Sequence, residues 1–294
     1  MNYTHYSSLL KLYNVPDFWT DEMLALWVPI AIYWIQCSFF EILMRLQLPF
    51  FEKYRIHSSI DRSNRNKVSF GNVLYMVAVQ HIIQFIFGYF LLKVEDPATR
   101  SLKSELAIQR TTQWILSYIG NYQLNDLVQL VAWMLHIWVI PIIQFLLAMF
   151  MIDTHQYILH RLGHTSKFLY KHFHSYHHRL YVPYAFGALY NHPVEGFCLD
   201  TLGAGLAYEL TGMSPRLGLI LFTFSNLKTI NDHCGYNFPW DPLNILFKNN
   251  GKYHDIHHQP YGIKKNFSQP FFTFWDRKLG TEFDSNDMNK RRNN

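Results

Sequence analysis

Apolar residues in this chain are gathered into long blocks, and three of the blocks are long enough to cross a bilayer as helices. Residues 24–43 and 73–92 are almost uninterrupted, each matching the roughly 20 residues that a hydrocarbon core of about 30 Å requires. Residues 127–152 form a longer block that contains Pro141, and it crosses with tilt. Two shorter blocks, 197–210 and 217–230, flank the turn sequence Thr211-Gly212-Met213-Ser214-Pro215. Each is marginal for a crossing, and together they predict a tight hairpin that either spans or enters only part of the membrane. The pattern predicts an all-α integral membrane protein built from two hairpins. Residues 23–152 are mainly transmembrane helices, and residues 153–294 form a histidine-rich helical cap that includes the membrane hairpin 196–230. No internal repeat or low-complexity linker divides the chain, so residues 1–294 read as one integrated domain.

Composition and charge sharpen this. Only 16% of residues are charged and 17% are aromatic, where soluble domains carry about 25% charged residues. Mean hydropathy is nonetheless −0.06, because the histidine regions are polar. Before the first block, Lys11 stands against Asp17, Asp21 and Glu22, whereas the loop after it carries Arg45, Lys53, Arg55, Arg62, Arg65 and Lys67. The positive-inside bias makes that loop cytosolic. The balanced stretch 93–126 is then a lumenal loop, and the third block returns to the cytosol, where the tail ends in Lys290-Arg291-Arg292. The acidic N-terminus lacks the features of a cleavable signal, so the first block acts as an uncleaved anchor, with an Asn2-Tyr3-Thr4 sequon on its lumenal side. Cys37, Cys198 and Cys234 show no C-x-x-C spacing and imply neither a disulfide framework nor a thiolate metal site. The partner implied for this surface is membrane lipid, not nucleic acid.

Nine of the 16 histidines fall into short clusters: His160 and His164; His174, His177 and His178; His233; and His254, His257 and His258. The two triplets share the spacing H-x-x-H-H. On a helix of 3.6 residues per turn, positions i, i+3 and i+4 lie within about 100° of arc, so each triplet is expected to aim three imidazoles at one point. Neutral imidazole suits iron, copper, nickel and zinc. One four-coordinate zinc could not use nine rings, whereas two ions with four or five ligands each could. Protonation would be expected to empty an imidazole-only site below about pH 6.

The remaining histidines separate by helical phase and position. His155 and His172 point away from the clustered faces and are assigned structural or interfacial roles. His81 and His136 lie in apolar blocks and are assigned interhelical hydrogen bonds or cavity lining. His5 and His57 have no clustered partner and are assigned to solvent or local hydrogen bonding. His192, beside Asn191, stands between metal ligand and substrate contact. No Glu-x-x-His pair of the soluble di-iron kind occurs. Asp153, Asp232 and Asp255 neighbour the histidines and are expected to accept the remote ring N–H of ligating imidazoles. Asp200 and Glu209 are ionisable groups within the apolar hairpin. Tyr190, Asn191 and Asp200 are the candidate substrate contacts.

The histidine series H-x-x-x-H, H-x-x-H-H, H, H-x-x-H-H after paired apolar blocks resembles the fatty acid hydroxylase/sterol desaturase superfamily of membrane di-iron oxygenases. The phrases between the clusters narrow the resemblance to the branch that hydroxylates sphingoid bases at C4. These are Glu52-Lys53-Tyr54-Arg55-Ile56-His57, Gln80-His81-Ile82-Ile83-Gln84, Leu180-Tyr181-Val182-Pro183-Tyr184-Ala185 and Pro193-Val194-Glu195-Gly196-Phe197. Asp232-His233-Cys234-Gly235-Tyr236 and Tyr253-His254-Asp255-Ile256-His257-His258-Gln259 complete them, so the likeness runs from about Glu22 to Thr281. His192 departs from the family pattern, which carries a second Asn there.

The resemblance implies an endoplasmic reticulum protein with a cytosolic histidine cap holding two iron ions, for which zinc can substitute in preparations. It implies hydroxylation of sphinganine or dihydroceramide at C4 with O2, to phytosphingosine or phytoceramide. Electrons would come from NAD(P)H through a reductase and a separate cytochrome b5, since no H-P-G-G haem motif is present. The rival activities are a sterol C-5 desaturase or C-4 methyl oxidase and a sphingoid Δ4 desaturase. A histidine-rich metal transporter is the non-enzymatic rival, which would place ligands inside the spans.

Overall fold

The computed structural model describes residues 18–91, 94–120 and 122–284. The Asn2-Tyr3-Thr4 sequon, His5, Lys11, Asp17, Leu92, Lys93 and the Lys290-Arg291-Arg292 tail lie outside the described residues. Among those described, the fold is helical, with one isolated β-bridge between Arg55 and Tyr236.

The first two apolar blocks form helices α1 (Asp21–Leu46) and α2 (Phe70–Leu91). Thr20 caps α1 through the Met23 N–H at 3.3 Å. Asp21 and Glu22 in its first turn and Arg45 in its last complement the helix dipole. Their outer faces expose Ile35, Phe39, Ile42, Ile82, Ile86 and Phe90, a surface suited to lipid.

The stretch expected as a lumenal loop is instead helix α3 (Pro97–Ile119). Its signals were local: Asp96 caps the Thr99 N–H at 3.1 Å, Pro97 opens the first turn, and Gly120 closes the helix at φ 70°. Charge balance alone had hidden them.

The third block lies inside one helical run, α4 (Tyr122–Thr165), 44 residues long. At 1.5 Å per residue that is about 66 Å, roughly twice the hydrocarbon thickness. Pro141 does not break it, because a π-turn at Leu135–Val139 precedes the proline and absorbs the missing N–H. The early part of α4 pairs with α3, where Thr111 Oγ1 meets His136 Nε2 at 2.8 Å.

The hairpin is a π-turn at Phe197–Leu202 running into α5 (Gly203–Thr211), then a left-handed Gly212 and α6 (Pro215–His233). Neither α5 nor α6 is among the three helices long and apolar enough to cross by length and composition. Their turn still reaches the far end of the helical layer. Gln144 of α4 donates to the Thr211 and Gly212 carbonyls at 3.0 and 3.1 Å, and Arg216 pairs with Asp21 at 3.3 Å. The hairpin is therefore as deep as α1, and Asn226 joins the two by donating to the Pro29 carbonyl at 3.0 Å.

At the opposite end, the basic loop after α1 is sewn to the cap. The Ile56 N–H donates to Gly235 and the Asn237 N–H to Tyr54, both at 2.9 Å, while Asn66 exchanges hydrogen bonds with Val182. Loop and histidines thus share one side, as the charge bias requires. Helix α7 (Gly251–His258) packs under α6, and the short α8 (Phe274–Lys278) is the last helix among the described residues.

Within α6, Lys228 is fully buried and contacts both Asp232 oxygens at 2.5 and 2.6 Å and the Asn249 carbonyl at 2.9 Å. Breaking a buried pair strands one charge, at a cost of about 3–5 kcal/mol. Lys228→Met is expected to lower the thermal stability of the detergent-solubilised protein sharply, with Lys228→Met/Asp232→Leu recovering much of the loss. A single variant as stable as the parent would contradict this.

Candidate metal centre

Helical phase explains where the nine rings go. In α7, His254 and His258 are separated by one turn and about 40° of arc, whereas His257 lies some 60–100° away from them. The triplet therefore straddles two directions. The expected convergence of each triplet on one point is wrong, and the two triplets divide reciprocally. His174 and His178 join His160, His164 and His257, while His254 and His258 join His177 and His233. The local backbone helps the division: a π-turn delivers His174, and a 3-10 turn begins at His177. In each group, one ligand atom per ring lies within 4.8 Å of all the others. The groups touch, with the His178 and His258 ring centroids 4.9 Å apart.

Five of the nine rings are oriented from behind, while Nδ1 of His178 and of His258 is buried without a hydrogen-bond partner. His160 Nδ1 donates to the Phe267 carbonyl at 2.8 Å, His257 Nδ1 to Lys265 at 2.7 Å, His177 Nδ1 to Tyr190 at 3.1 Å and His233 Nδ1 to Thr229 at 2.8 Å. His174 Nδ1 meets Glu195 Oε1 at 2.5 Å. A ring facing a carbonyl must carry its proton there, which leaves the Nε2 lone pair free.

The Nε2 atoms of the five-membered group crowd together. His164 Nε2 lies 2.7, 3.1 and 3.0 Å from the Nε2 atoms of His174, His178 and His257. His178 Nε2 lies 3.0 and 3.1 Å from those of His174 and His257. Such crowding is repulsive without a cation among them. Nε2 of His160 and of His233 are buried with no hydrogen-bond partner. At metal–nitrogen distances of about 2.0–2.1 Å, right-angle ligands stand about 3.0 Å apart and tetrahedral ones about 3.4 Å. The observed spacing and the five members suit a five- or six-coordinate ion better than tetrahedral zinc.

The expected carboxylates are near but do not face these rings. Asp153 accepts the Phe271 and Phe272 N–H groups at 3.0 and 2.5 Å, Asp232 holds Lys228, and Asp255 meets His57 Nε2 at 2.7 Å. Proximity in sequence to a histidine did not set their direction. His57, expected to bond locally, reaches across 198 positions of chain. Among the described residues the carboxylate that faces a cluster ring is Glu195, for which the sequence carries no signal, since it lies 21 positions from His174. Asp153 acts one step removed, and with it Asp276, which accepts from the Phe267 and Ser268 N–H groups at 3.0 and 2.7 Å. Together they hold the strap whose carbonyls orient His160 and His257.

His155 donates toward the Cys198 carbonyl at 2.8 Å, His172 is exposed, and Trp34 donates to His81 at 3.1 Å. His192 joins neither group. Its Nδ1 accepts the Val194 N–H at 3.3 Å, and its ring packs on Phe173 and Tyr176. Of the candidate substrate contacts, Asn191 and Asp200 line a cavity of about 20 Å³ between the two groups, with His160, His174, His177, His233, His254 and Thr229. Gln156, also on that wall, donates to Asp200 at 3.3 Å. Tyr190 does not line it; its ring is buried in the core, and its carbonyl serves His177.

Burial holds the cap imidazoles neutral. His174 is pushed down to about 3 and His177 to about 4, with His178, His254, His257 and His258 also well below the usual value, chiefly through desolvation. Burial raises Glu195 to about 7. The threshold near pH 6 that ordinary imidazoles imply therefore moves lower.

Two imidazole groups on a multi-pass helical scaffold are consistent with a metal-dependent membrane oxygenase, and comparison with known proteins supplies the family. Residues 145–281 match the family model described as fatty acid hydroxylase. The chain is 45% identical to the sphingolipid C4-hydroxylase sur2 of Schizosaccharomyces pombe, over 90% of this chain and 89% of that one. It is 43% identical to a sphinganine C4-monooxygenase of Arabidopsis thaliana, over 89% and 88%. It is 38% identical to a very-long-chain aldehyde decarbonylase of Oryza sativa, over 91% of each. No solved structure matches. The chain belongs to the fatty acid hydroxylase family.

Between pH 6.5 and about 4 the unfolded chain binds protons that the buried rings refuse, so stability falls as pH drops through that window. Melting of the metal-free protein in detergent should shift steadily downward from pH 7 to pH 5. A flat profile would mean that the rings are not held buried and neutral.

Proposed function

We propose that this chain is a di-iron oxygenase that hydroxylates C4 of sphinganine or dihydroceramide. The observation that carries this is the pair of imidazole groups flanking one small cavity, in a chain 45% identical over 90% of its length to a C4-hydroxylase. The reaction balances as R–H + O2 + 2 e⁻ + 2 H⁺ → R–OH + H2O. His160, His164, His174, His178 and His257 would hold one iron, and His177, His233, His254 and His258 the other. Iron held there would supply O2 activation for insertion into an unactivated C–H bond.

The chain's own residues do the rest. Backbone carbonyls and Glu195 keep the Nδ1 protons of His160, His174, His177, His233 and His257 in place and aim their Nε2 atoms inward. Burial of both groups excludes bulk water from the reacting centre. Asn191 and Asp200, braced by Gln156, are the polar groups available to the amine and hydroxyls of a long-chain base. C4 lies one carbon beyond the hydroxyl-bearing C3, near the headgroup plane, and the histidines lie at the cap end of α4 and α6, the matching depth. In this reading the cap lies on the cytosolic side of the endoplasmic reticulum membrane, where its basic surface would steer an acidic cytochrome b5 carrying electrons from NAD(P)H.

Expression in cells lacking an endogenous C4-hydroxylase should yield 4-hydroxy long-chain bases, detected as a gain of one oxygen by mass spectrometry. Loss of two hydrogens, oxidation of a sterol instead, or alkane release from a long-chain aldehyde would overturn the assignment. His257→Ala should abolish that product while the protein persists. The parent purified with iron should hold about two metal equivalents, and His254→Ala, which leaves three rings in its group, about one. Full product or full metal in these variants would contradict the ligand sets.

A further inference from the structure

We propose that the apolar cavity deep in the helical layer holds the hydrocarbon tail of the long-chain base, with Gly205 keeping it wide enough for a long chain. The inference rests on the C4-hydroxylase reading. The cavity has a volume of about 450 Å³ and lies between α1, α2, α5 and α6, remote from the cap. That volume is within the usual range of roughly 300–1,000 Å³ for a small-molecule pocket.

Continuity with the histidine site points to the substrate as occupant. The π-turn at Phe197–Leu202 presents Leu199 and Asp200 to the cavity between the imidazole groups, and its next residues, Thr201 and Leu202, line the apolar cavity. One helix therefore walls both the polar and the apolar compartment. A molecule with its amine and hydroxyls at Asn191 and Asp200 would lay a single saturated chain along α5. Leu206 and Glu209 at the lining are exposed, which leaves a lateral path from the bilayer. The far end is polar: buried Glu22 is bonded by Arg100, and this charged floor would stop an alkyl chain.

Two glycines on α5 contrast. A Cβ at Gly203 would strike the His155 ring at 2.6 Å, so that glycine serves close packing. A Cβ at Gly205 would meet nothing within 4 Å. Glycine in a helix interior costs about 1 kcal/mol relative to alanine, and no packing contact at Gly205 requires it. What it preserves is open space on a cavity wall.

The test is the chain-length profile of hydroxylation by the full-length protein and by Gly205→Leu and Ala25→Leu, which fill the cavity from opposite walls. Cells lacking their own C4-hydroxylase would be fed short-chain and long-chain saturated bases. Leucine is a better helix former than glycine, and melting and metal content check that each variant is folded and loaded. The long-chain to short-chain product ratio should fall about tenfold or more, the scale on which hydrophobic pockets discriminate chain length. An unchanged ratio, an equal loss on both chain lengths, or a change only in the N-acyl chain of the product would overturn the tail assignment. If the parent protein itself makes no 4-hydroxy base, the function reading fails first and the tail assignment falls with it.

Discussion

Everything in the cap depends on gathering nine imidazoles, eight of them buried, and giving five of them a defined direction. A buried polar ring nitrogen without a partner costs on the order of 1–3 kcal/mol, so partners behind the rings favour the fold. The carbonyls of Tyr190, Thr229, Lys265 and Phe267 and the carboxyl of Glu195 serve His177, His233, His257, His160 and His174 in this way. They come from four separate stretches of chain. The cap can therefore close only when all four are in place, which is why Asp153 and Asp276, distant in sequence, both secure the strap behind His160 and His257.

The same helices carry this order into the membrane layer. α4 brings His160 and His164 to the cap and passes Gln144 to the far end, while α6 runs from Arg216 at the far end to His233. The ties at the far end fix the axial position of each helix, and hence the height of its histidines. The histidine groups stand at the cap end of these helices, and the apolar cavity lies toward their far end. One set of helix registers thus fixes the height of both.

Much of this was legible in the chain. The apolar blocks marked α1, α2 and α4, the Lys/Arg bias put the basic loop on the histidine side, and helical phase separated His155 and His172 from the clustered rings. Local signals for α3 were also present in Asp96, Pro97 and Gly120 but were outweighed by its balanced charge. Two things were not legible. Helical phase places side chains on a face but does not say which neighbours that face meets, so the triplets were expected to converge where they divide. Adjacency in sequence does not give direction, so Asp153, Asp232 and Asp255 were expected behind ligating rings, and Glu195 was passed over.

The sequence by itself determined the ligand type, the helical spacing of the histidines and the membrane character, because these follow from residue chemistry and the 3.6-residue period. Only the tertiary structure decided which rings gather into one group, which partners face their Nδ1 atoms, and where the apolar cavity lies. Those depend on contacts between segments tens to hundreds of residues apart, such as His164 with His257 and His57 with Asp255. No local pattern encodes such contacts; they exist once packing brings the helices together.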